Sequence, residues 1–359
     1  MDIRLVLKST MDAVLKELKL LFSENGMKRL NLGKFGDIFY DEFKSYLTDG
    51  GKRIRPFLVK TAFDAVGGNH KEGNIVRASL SIELLHSGSL LHDDVIDKDE
   101  TRRGKPAFHV KFRKLHSEKK NESKEKANDF GEAMSIFAGD LCFPFAIESI
   151  IQSGFPADLS NKALHAFTQA FREVIDGVII ETGDAILHEG NEETYKKMVD
   201  LKTGALIRKS VEIGGILGRG SDSQIAALVD YCRGIGTAFQ IQDDILGIFG
   251  DSKEIGKPVG GDIRENKQTI LRILAIKNGS KEQVKRISEL HGKKDLTKEE
   301  LKEVQEIFKA TKALEIANEM IQEVTQESIN SLDKANPPLK EKPKKHFIAL
   351  ANYLVNRRK

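Results

Sequence analysis

Apolar residues recur at intervals of three and four along almost the whole 359-residue chain. The pattern is plain in Ile75–Leu91, Ala163–Ile180, Leu201–Leu217 and Ile225–Ile248, and strand-like alternation is nearly absent. That interval gathers apolar side chains on one face of a helix, so the spacing predicts an all-α fold. Several of these segments are apolar around most of their circumference, which suits helices enclosed by other helices. One large bundle, a single domain over residues 1–359, accounts for this better than two small ones. Three segments break the rhythm. His116–Asp129 (HSEKKNESKEKAND) and Asn278–Glu300 are charged and poor in apolar residues, and read as solvated inserts. Asn336–Phe347 carries three prolines that should end one helix before a final basic helix, Phe347–Lys359.

The charge balance excludes one class of partner. The 57 basic and 54 acidic residues leave a net charge of +3 and are interleaved, with no basic block of the kind that binds nucleic acid. Cys142 and Cys232 lie in apolar, helix-like sequence without metal-ligand spacing, and read as reduced, buried thiols of a cytoplasmic protein. The N-terminus alternates charged and apolar residues unlike a signal peptide, and no apolar run approaches the ~20 residues that span a bilayer.

Within this ordinary composition one stretch stands out. LLHDDVIDKDETRRGKP sets Asp93, Asp94, Asp97 and Asp99 directly before Arg102, Arg103 and Lys105. On a helix from Ile75 to Asp97, Ser89, Asp93 and Asp97 share a stripe, so Asp93 and Asp97 can grip one cation from successive turns. A second pair, Asp243 and Asp244, lies in FQIQDDILGIFGD, with Asp251 just beyond. Carboxylates are hard ligands suited to Mg2+, which is typically held by one or two of them together with phosphate oxygens of a substrate. Two acidic clusters therefore suggest a diphosphate held between them. Cations come in separate packets: Lys52, Arg53 and Arg55 in GGKRIRP, Arg102 and Arg103 in RRG, Lys202 and Thr203 in LKTG, and Lys257 and Lys267 in GKPVGGDIRENK. Arginine can fork onto phosphate oxygens, while lysine acts as a point charge.

From Phe43 to Thr269, the ordered set GGKRIRP, HSGSLLHDDVID with RRGKP, AGD, KTG and FQIQDDILGIFGD with GKPVGGDIRENKQT resembles the trans-isoprenyl diphosphate synthases. The resemblance implies an all-α bundle around a central product cavity, usually homodimeric, with the two aspartate-rich motifs facing each other across its mouth. It implies Mg2+, three ions per site, held by Asp93, Asp97 and Asp243 with Asp244 and Asp262 in support. Arg102, Lys202, Thr203 and Lys257 would hold an allylic diphosphate. Lys52, Arg55, His86 and Arg103 would hold isopentenyl diphosphate, with Gln240 and Lys267 lining the shared site. Asp93, Asp97, Asp243, Lys202 and Arg102 would carry the chemistry, and His92 would orient or pack. Release of an apolar product would permit a peripheral membrane contact.

The chain departs from the family pattern at two places. Gly247 stands where the second motif usually has its last aspartate, and Gly177–Val178 with Glu181 replaces the usual Gly-Gln pair before an acid. In that family bulky aromatic residues one turn before the first motif close the cavity early, so with Gly88 and Ser89 there the resemblance implies a deep product pocket with Leu84 and Leu85 as its next possible floor, hence a C20 product or longer. Two alternatives compete. A class I terpene cyclase would share the first aspartate motif but normally has a second motif built on Asn, Ser and Glu, and a helical noncatalytic partner subunit would not need the ordered phosphate-binding packets.

Overall fold

The computed structural model describes residues 2–23, 32–120, 122–187, 191–250 and 259–355. Its helices, in chain order, are α1 (Ile3–Leu21), α2 (Gly33–Thr48), α3 (Ile54–Ala65), α4 (Ile75–Ile96), α5 (Phe108–Lys119), α6 (Lys124–Ile151), α7 (Ala157–Leu187), α8 (Glu192–Val199), α9 (Ala205–Leu217), α10 (Asp222–Phe249), α11 (Gly261–Arg264), α12 (Ile270–Asn278), α13 (Lys281–Leu290), α14 (Lys298–Ala310), α15 (Ala313–Ser331) and α16 (Glu341–Val355). Among the described residues the only strands are Thr101–Arg102 and Lys105–Pro106, which form a short antiparallel hairpin. The all-α reading therefore agrees with the structure.

Enclosure of α4 explains its unbroken apolar composition. Leu80, Ile82, Leu84, Leu85 and Leu91 are all fully buried, although they point in different directions around the helix. Its closest partner is α6. A Cβ at Gly88 would lie 2.9 Å from the Cβ of Cys142 and 3.0 Å from the Gly139 carbonyl oxygen, and the His92 ring fills the space of any side chain at Gly139. These two glycines bring α4 and α6 close together. Further along the chain, α10 packs along α15. Helix α6 is long and apolar enough to cross a membrane by composition, but half of its most apolar window is buried inside the protein.

The charged segments are more ordered than their composition suggests. Most of His116–Asp129 is helical: α5 runs through to Lys119, and α6 begins at Lys124, where the Ser123 side chain caps the Lys126 N–H. Within Asn278–Glu300, Ser280 and Gln283 form a reciprocal capping box that starts α13, and Ile287 and Leu290 bury one side of it. Charged residues on the opposite face of such a helix remain solvated, which is why composition alone misses it. The last helix starts at Glu341, ahead of the predicted Phe347, because Pro343 sits in the first turn, where a missing N–H costs nothing. Phe347, Leu350 and Leu354 pack it into the core, and residues 356–359 of the predicted basic helix lie outside the described residues.

Candidate active site

The first aspartate motif closes the C-terminal end of α4. Asp93 and Asp97 stand one turn apart, with the Asp97 N–H donating to the Asp93 carbonyl at 2.8 Å. Burial raises the pKa of Asp93; Lys202 opposes this, and Asp97 and Glu181 add to it. Burial also raises Asp97, against the pull of Lys267. Asp94, pointing the other way, is fully buried and receives Arg102 Nε at 2.6 Å and Nη2 on the same oxygen, while Arg102 Nη2 also reaches Asp99 at 3.1 Å. These contacts occupy Nε and Nη2 of the guanidinium. His92 lies 3.2 Å from the Ile136 carbonyl oxygen and 3.4 Å from the Asp140 carboxylate, so it ties the motif to the AGD segment of α6.

A second cationic region forms where Gly50, Gly51 and Arg53 adopt left-handed conformations, with φ of 63°, 85° and 51°. This tight turn lets the Arg103 side chain lie over the backbone: a Cβ at Gly51 would be 3.5 Å from Arg103 Nη2, and Arg103 donates to the Asp49 carbonyl oxygen. Arg53 is buried against Glu83 and donates to the Leu47 carbonyl oxygen at 2.7 Å. Arg55 Nε is buried without a hydrogen-bond partner among the described residues, and burial, opposed by Glu83, brings the guanidinium down to about 10, still cationic at neutral pH. His86 is held well below its ordinary pKa, first by burial and then by Arg55, Arg103 and Arg53, so it is a neutral ring among cations. Lys52 is exposed, its ammonium 5.3 Å from the centre of the Tyr353 ring.

Opposite α4, a π-helical turn at Asp200–Gly204 bulges toward α7. The missing side chain of Gly177 makes room for the Lys202 backbone, and Lys202 pairs with Glu181. The Thr203 hydroxyl donates to Gln240 Oε1 at 2.8 Å, and Gln240 Nε2 donates to Asp244 Oδ1 at 2.9 Å. The Tyr195 hydroxyl and the Ile270 N–H donate to the other oxygen of Asp244, at 2.8 and 3.2 Å. Both oxygens of Asp244 are thus engaged, and burial followed by the charge of Asp262 lifts its carboxyl to about 7. Asp243 lines the adjacent cavity of about 390 Å3 together with Asp97, Glu181, Lys202, Asp262 and Lys267. A Cβ at Gly247 would lie 2.7 Å from Asp262 Oδ2, so the Asp262 carboxylate occupies the space that a side chain at 247 would take. Lys267 reaches Glu265 at 2.7 Å and Asp262 at 3.7 Å; burial works against its charge, but Asp262 and Glu181 hold its pKa above the ordinary value. Lys257 and Asp251 lie outside the described residues.

The four positions chosen for product length separate. Leu84 and Leu85 are fully buried in packed core. Gly88 faces Cys142 and Gly139, so its lack of a side chain serves the close packing of α4 on α6. Ser89 is half-buried and donates to the His86 carbonyl oxygen at 2.9 Å. Sequence reasoning also passed over Tyr195 and Glu83, which support Asp244 and Arg53 from 49 and 30 positions away. No motif marks such distant partners.

The donor set suits magnesium, because hard carboxylates stand in partly dehydrated surroundings beside lysines and arginines. Among the described residues no three acidic, histidine or cysteine side chains converge into a ready-made metal site. An ion held here by one or two carboxylates would need substrate oxygens to complete its shell.

Residues 37–308 match the polyprenyl synthetase family. The chain belongs to that family. A short chain isoprenyl diphosphate synthase of Methanothermobacter thermautotrophicus is 37% identical over 272 residues, spanning 76% of this chain and 77% of the relative. A geranylgeranyl diphosphate synthase of Saccharolobus solfataricus is 32% identical over 314 residues, or 87% and 88% of the two chains. The crystal structure of geranylgeranyl pyrophosphate synthase from Corynebacterium glutamicum, complexed with isoprenyl diphosphate and magnesium, superimposes with a TM-score of 0.89 at 28% identity, covering 99% of this chain and 100% of that one. This polyprenyl synthetase is therefore a trans-isoprenyl diphosphate synthase with the all-α isoprenoid synthase fold, and the terpene cyclase reading falls away.

Proposed function

We propose that the protein joins isopentenyl diphosphate head to tail to an allylic diphosphate, giving all-trans geranylgeranyl diphosphate or a longer product. The observation that carries this reading is the division of the cations into two groups. Lys202 and Arg102, with the Thr203 hydroxyl next to Lys202 in the chain, stand near the two aspartate motifs, and Lys257 is assigned to them from its sequence motif. Arg55 and Arg103 act most strongly, among the assigned cations, on neutral His86 behind the glycine turn, Arg102 acts on it more weakly, and exposed Lys52 is assigned to this group from its sequence motif. The first group suits the allylic diphosphate and the second isopentenyl diphosphate, with Gln240 and Lys267 on the shared wall.

In the reaction, the allylic C1–O bond breaks and its electron pair leaves with the diphosphate. The double bond of isopentenyl diphosphate attacks the allylic C1 to form the new C–C bond, and a proton is then lost to the released diphosphate. Lys202 and Arg102 stabilise the leaving charge, and the low-dielectric surroundings strengthen their effect. Asp93, Asp97 and Asp243 would hold three magnesium ions, and Asp244 and Asp262 would position Asp243 from behind and beside. Bound magnesium supplies Lewis-acid neutralisation of the diphosphate.

A homodimer is part of the same proposal. Exposed Ile136, Phe137, Ile147 and Ile151 on α6, with Ile175 and Ile179 on α7, form an apolar face that suits a second copy of the chain. The buried thiols of Cys142 and Cys232 fit a reducing cytoplasm. The test is to incubate the pure protein and Mg2+ with labelled isopentenyl diphosphate and each allylic primer, then size the dephosphorylated products. Products of C20 or longer are expected; no condensation with any primer would return the noncatalytic-subunit reading to first place.

A further inference from the structure

Behind the motif that faces substrate lies a group of polar atoms the reaction does not explain. Asp94 Oδ1 takes the Arg102 guanidinium, but Oδ2 is buried and has no hydrogen-bond partner among the described residues. The Tyr46 hydroxyl, from α2, and His109 Nδ1, from the first turn of α5, are likewise buried and unpartnered. Asp94 is 0% exposed and His109 5%. The Tyr46 ring stands edge-on to Phe108 with centroids 6.0 Å apart, which places it beside the residue that precedes His109. Of all charged side chains, Asp94 acts most strongly on both Tyr46 and His109: after burial it is the next largest influence on each. Three helices thus each leave one buried polar atom without a protein partner, and Asp94 is the leading charge acting on the other two; native proteins rarely leave such atoms alone.

We propose that one ordered water joins Tyr46, His109 and Asp94, and through Asp94 fixes the orientation of Arg102. The hydrogen bonds balance. The Tyr46 O–H donates to the water, which donates one hydrogen to Asp94 Oδ2 and the other to Nδ1 of a neutral His109, whose proton then sits on Nε2. Three bonds is the usual number for a buried water. Burial lowers the pKa of His109, in keeping with the neutral ring. With Asp94 clamped from behind, Arg102 keeps Nε and Nη2 on the carboxylates and offers Nη1 to the allylic diphosphate. Tyr46 and His109 are positioning residues, which touch the substrate only through Asp94 and Arg102.

The inference rests on the assignment of Arg102 to the allylic diphosphate, so Arg102→Ala serves as the control. Tyr46→Phe and His109→Leu should each raise KM for the allylic diphosphate about three- to tenfold, the worth of one buried hydrogen bond, and leave KM for isopentenyl diphosphate unchanged. His109→Asn, whose side-chain oxygen can replace Nδ1 as acceptor, should restore the allylic KM. A high-resolution crystal structure should show a water within hydrogen-bond distance of all three atoms. If Arg102→Ala raises the allylic KM while Tyr46→Phe and His109→Leu change neither KM, or change both alike, the water bridge is wrong. If Arg102→Ala leaves the allylic KM unchanged, the assignment of Arg102 is what fails. Should Tyr46→Phe not fold, the two His109 variants decide the matter alone.

Discussion

Asp93–Asp94 on α4 and Asp243–Asp244 on α10 are the same dipeptide on two helices. Consecutive helical residues point about 100° apart, so when the first faces the site the second turns toward the protein. Asp94 and Asp244 are both buried, but their surroundings differ. Asp94 meets a guanidinium, whereas Asp244 meets three neutral donors and the repulsion of Asp262. One inward aspartate is thus a counterion that orients a cation, and the other is a hydrogen-bond acceptor that locks α10 to Tyr195 and the start of α12. An identical motif in sequence has become two different mechanical parts.

The outward residues should matter most. Asp93→Ala and Asp243→Ala each remove a carboxylate whose interactions strengthen as diphosphate leaves, so turnover should fall by about two orders of magnitude or more with the helical fold intact. Circular dichroism and steady-state rates at limiting Mg2+ check this. Near-normal turnover in either variant would remove the metal-ligand assignment for that helix.

The inward residues should then separate. Asp94→Asn leaves Arg102 with a neutral partner on its buried side, and the allylic KM should rise by about tenfold, in the range expected when a charge-assisted hydrogen bond is lost. Asp244→Asn keeps an acceptor oxygen for Tyr195 and Ile270, and its effect on the same KM should be a few-fold at most. Arg103→Ala, on the glycine-turn side, should raise KM for isopentenyl diphosphate instead. Equal effects of the two Asn variants on both substrates would mean that the electrostatic difference between the helices has no consequence for binding.

Much of this was legible in the sequence, and the reason is local. Helical periodicity revealed α4, α7, α9 and α10, because enclosed helices must be apolar at fixed intervals. Asp93, Asp97, Asp243, Lys202 and Arg102 could be picked out because each lies in a compact motif. The capping box that starts α13 was readable too, at Ser280 and Gln283, but net charge obscured it. What stayed hidden depends on contacts distant in the chain. Gly247 looked like a lost acid until Asp262 was found in its space, and the contact of Gly88 with α6 has no mark in the sequence. Tyr46, His109 and Tyr195 belong to no pattern; only the packing of α2, α5 and α8 against the aspartate helices brings them into the account.

The two helices also differ one turn before their aspartates, where α4 has Ser89 and α10 has half-buried Phe239. Giving α4 an aromatic residue at that position makes the helices alike. Ser89→Phe should shorten the product by about one isoprene unit, since a helical turn of about 5.4 Å is comparable to one unit, while condensation at the mouth continues. Chromatography of the dephosphorylated products decides it. An unchanged chain length with good activity would show that the growing chain does not follow this face of α4.

The smallest expected effect concerns the stability of the metal-free protein. Asp244 titrates near 7 in the folded chain because of burial and Asp262, against an ordinary value of 3.8. Between about pH 4 and 7 the folded state therefore holds a proton that the unfolded chain has released, and stability falls as pH rises through this window. Asp244→Asn cannot release that proton. In EDTA, the Tm of this variant minus that of the wild type should grow from pH 4 to pH 7, by on the order of a few °C, and level off above. Burial also raises the pKa of Asp94, but its direct pairing with Arg102 pulls the other way, so Asp94→Asn should give a shallower curve. Two curves of equal slope would mean that the Arg102 cation does not set the inward aspartates apart, and a flat Asp244→Asn curve would mean that its three donors keep the carboxylate ionised despite burial.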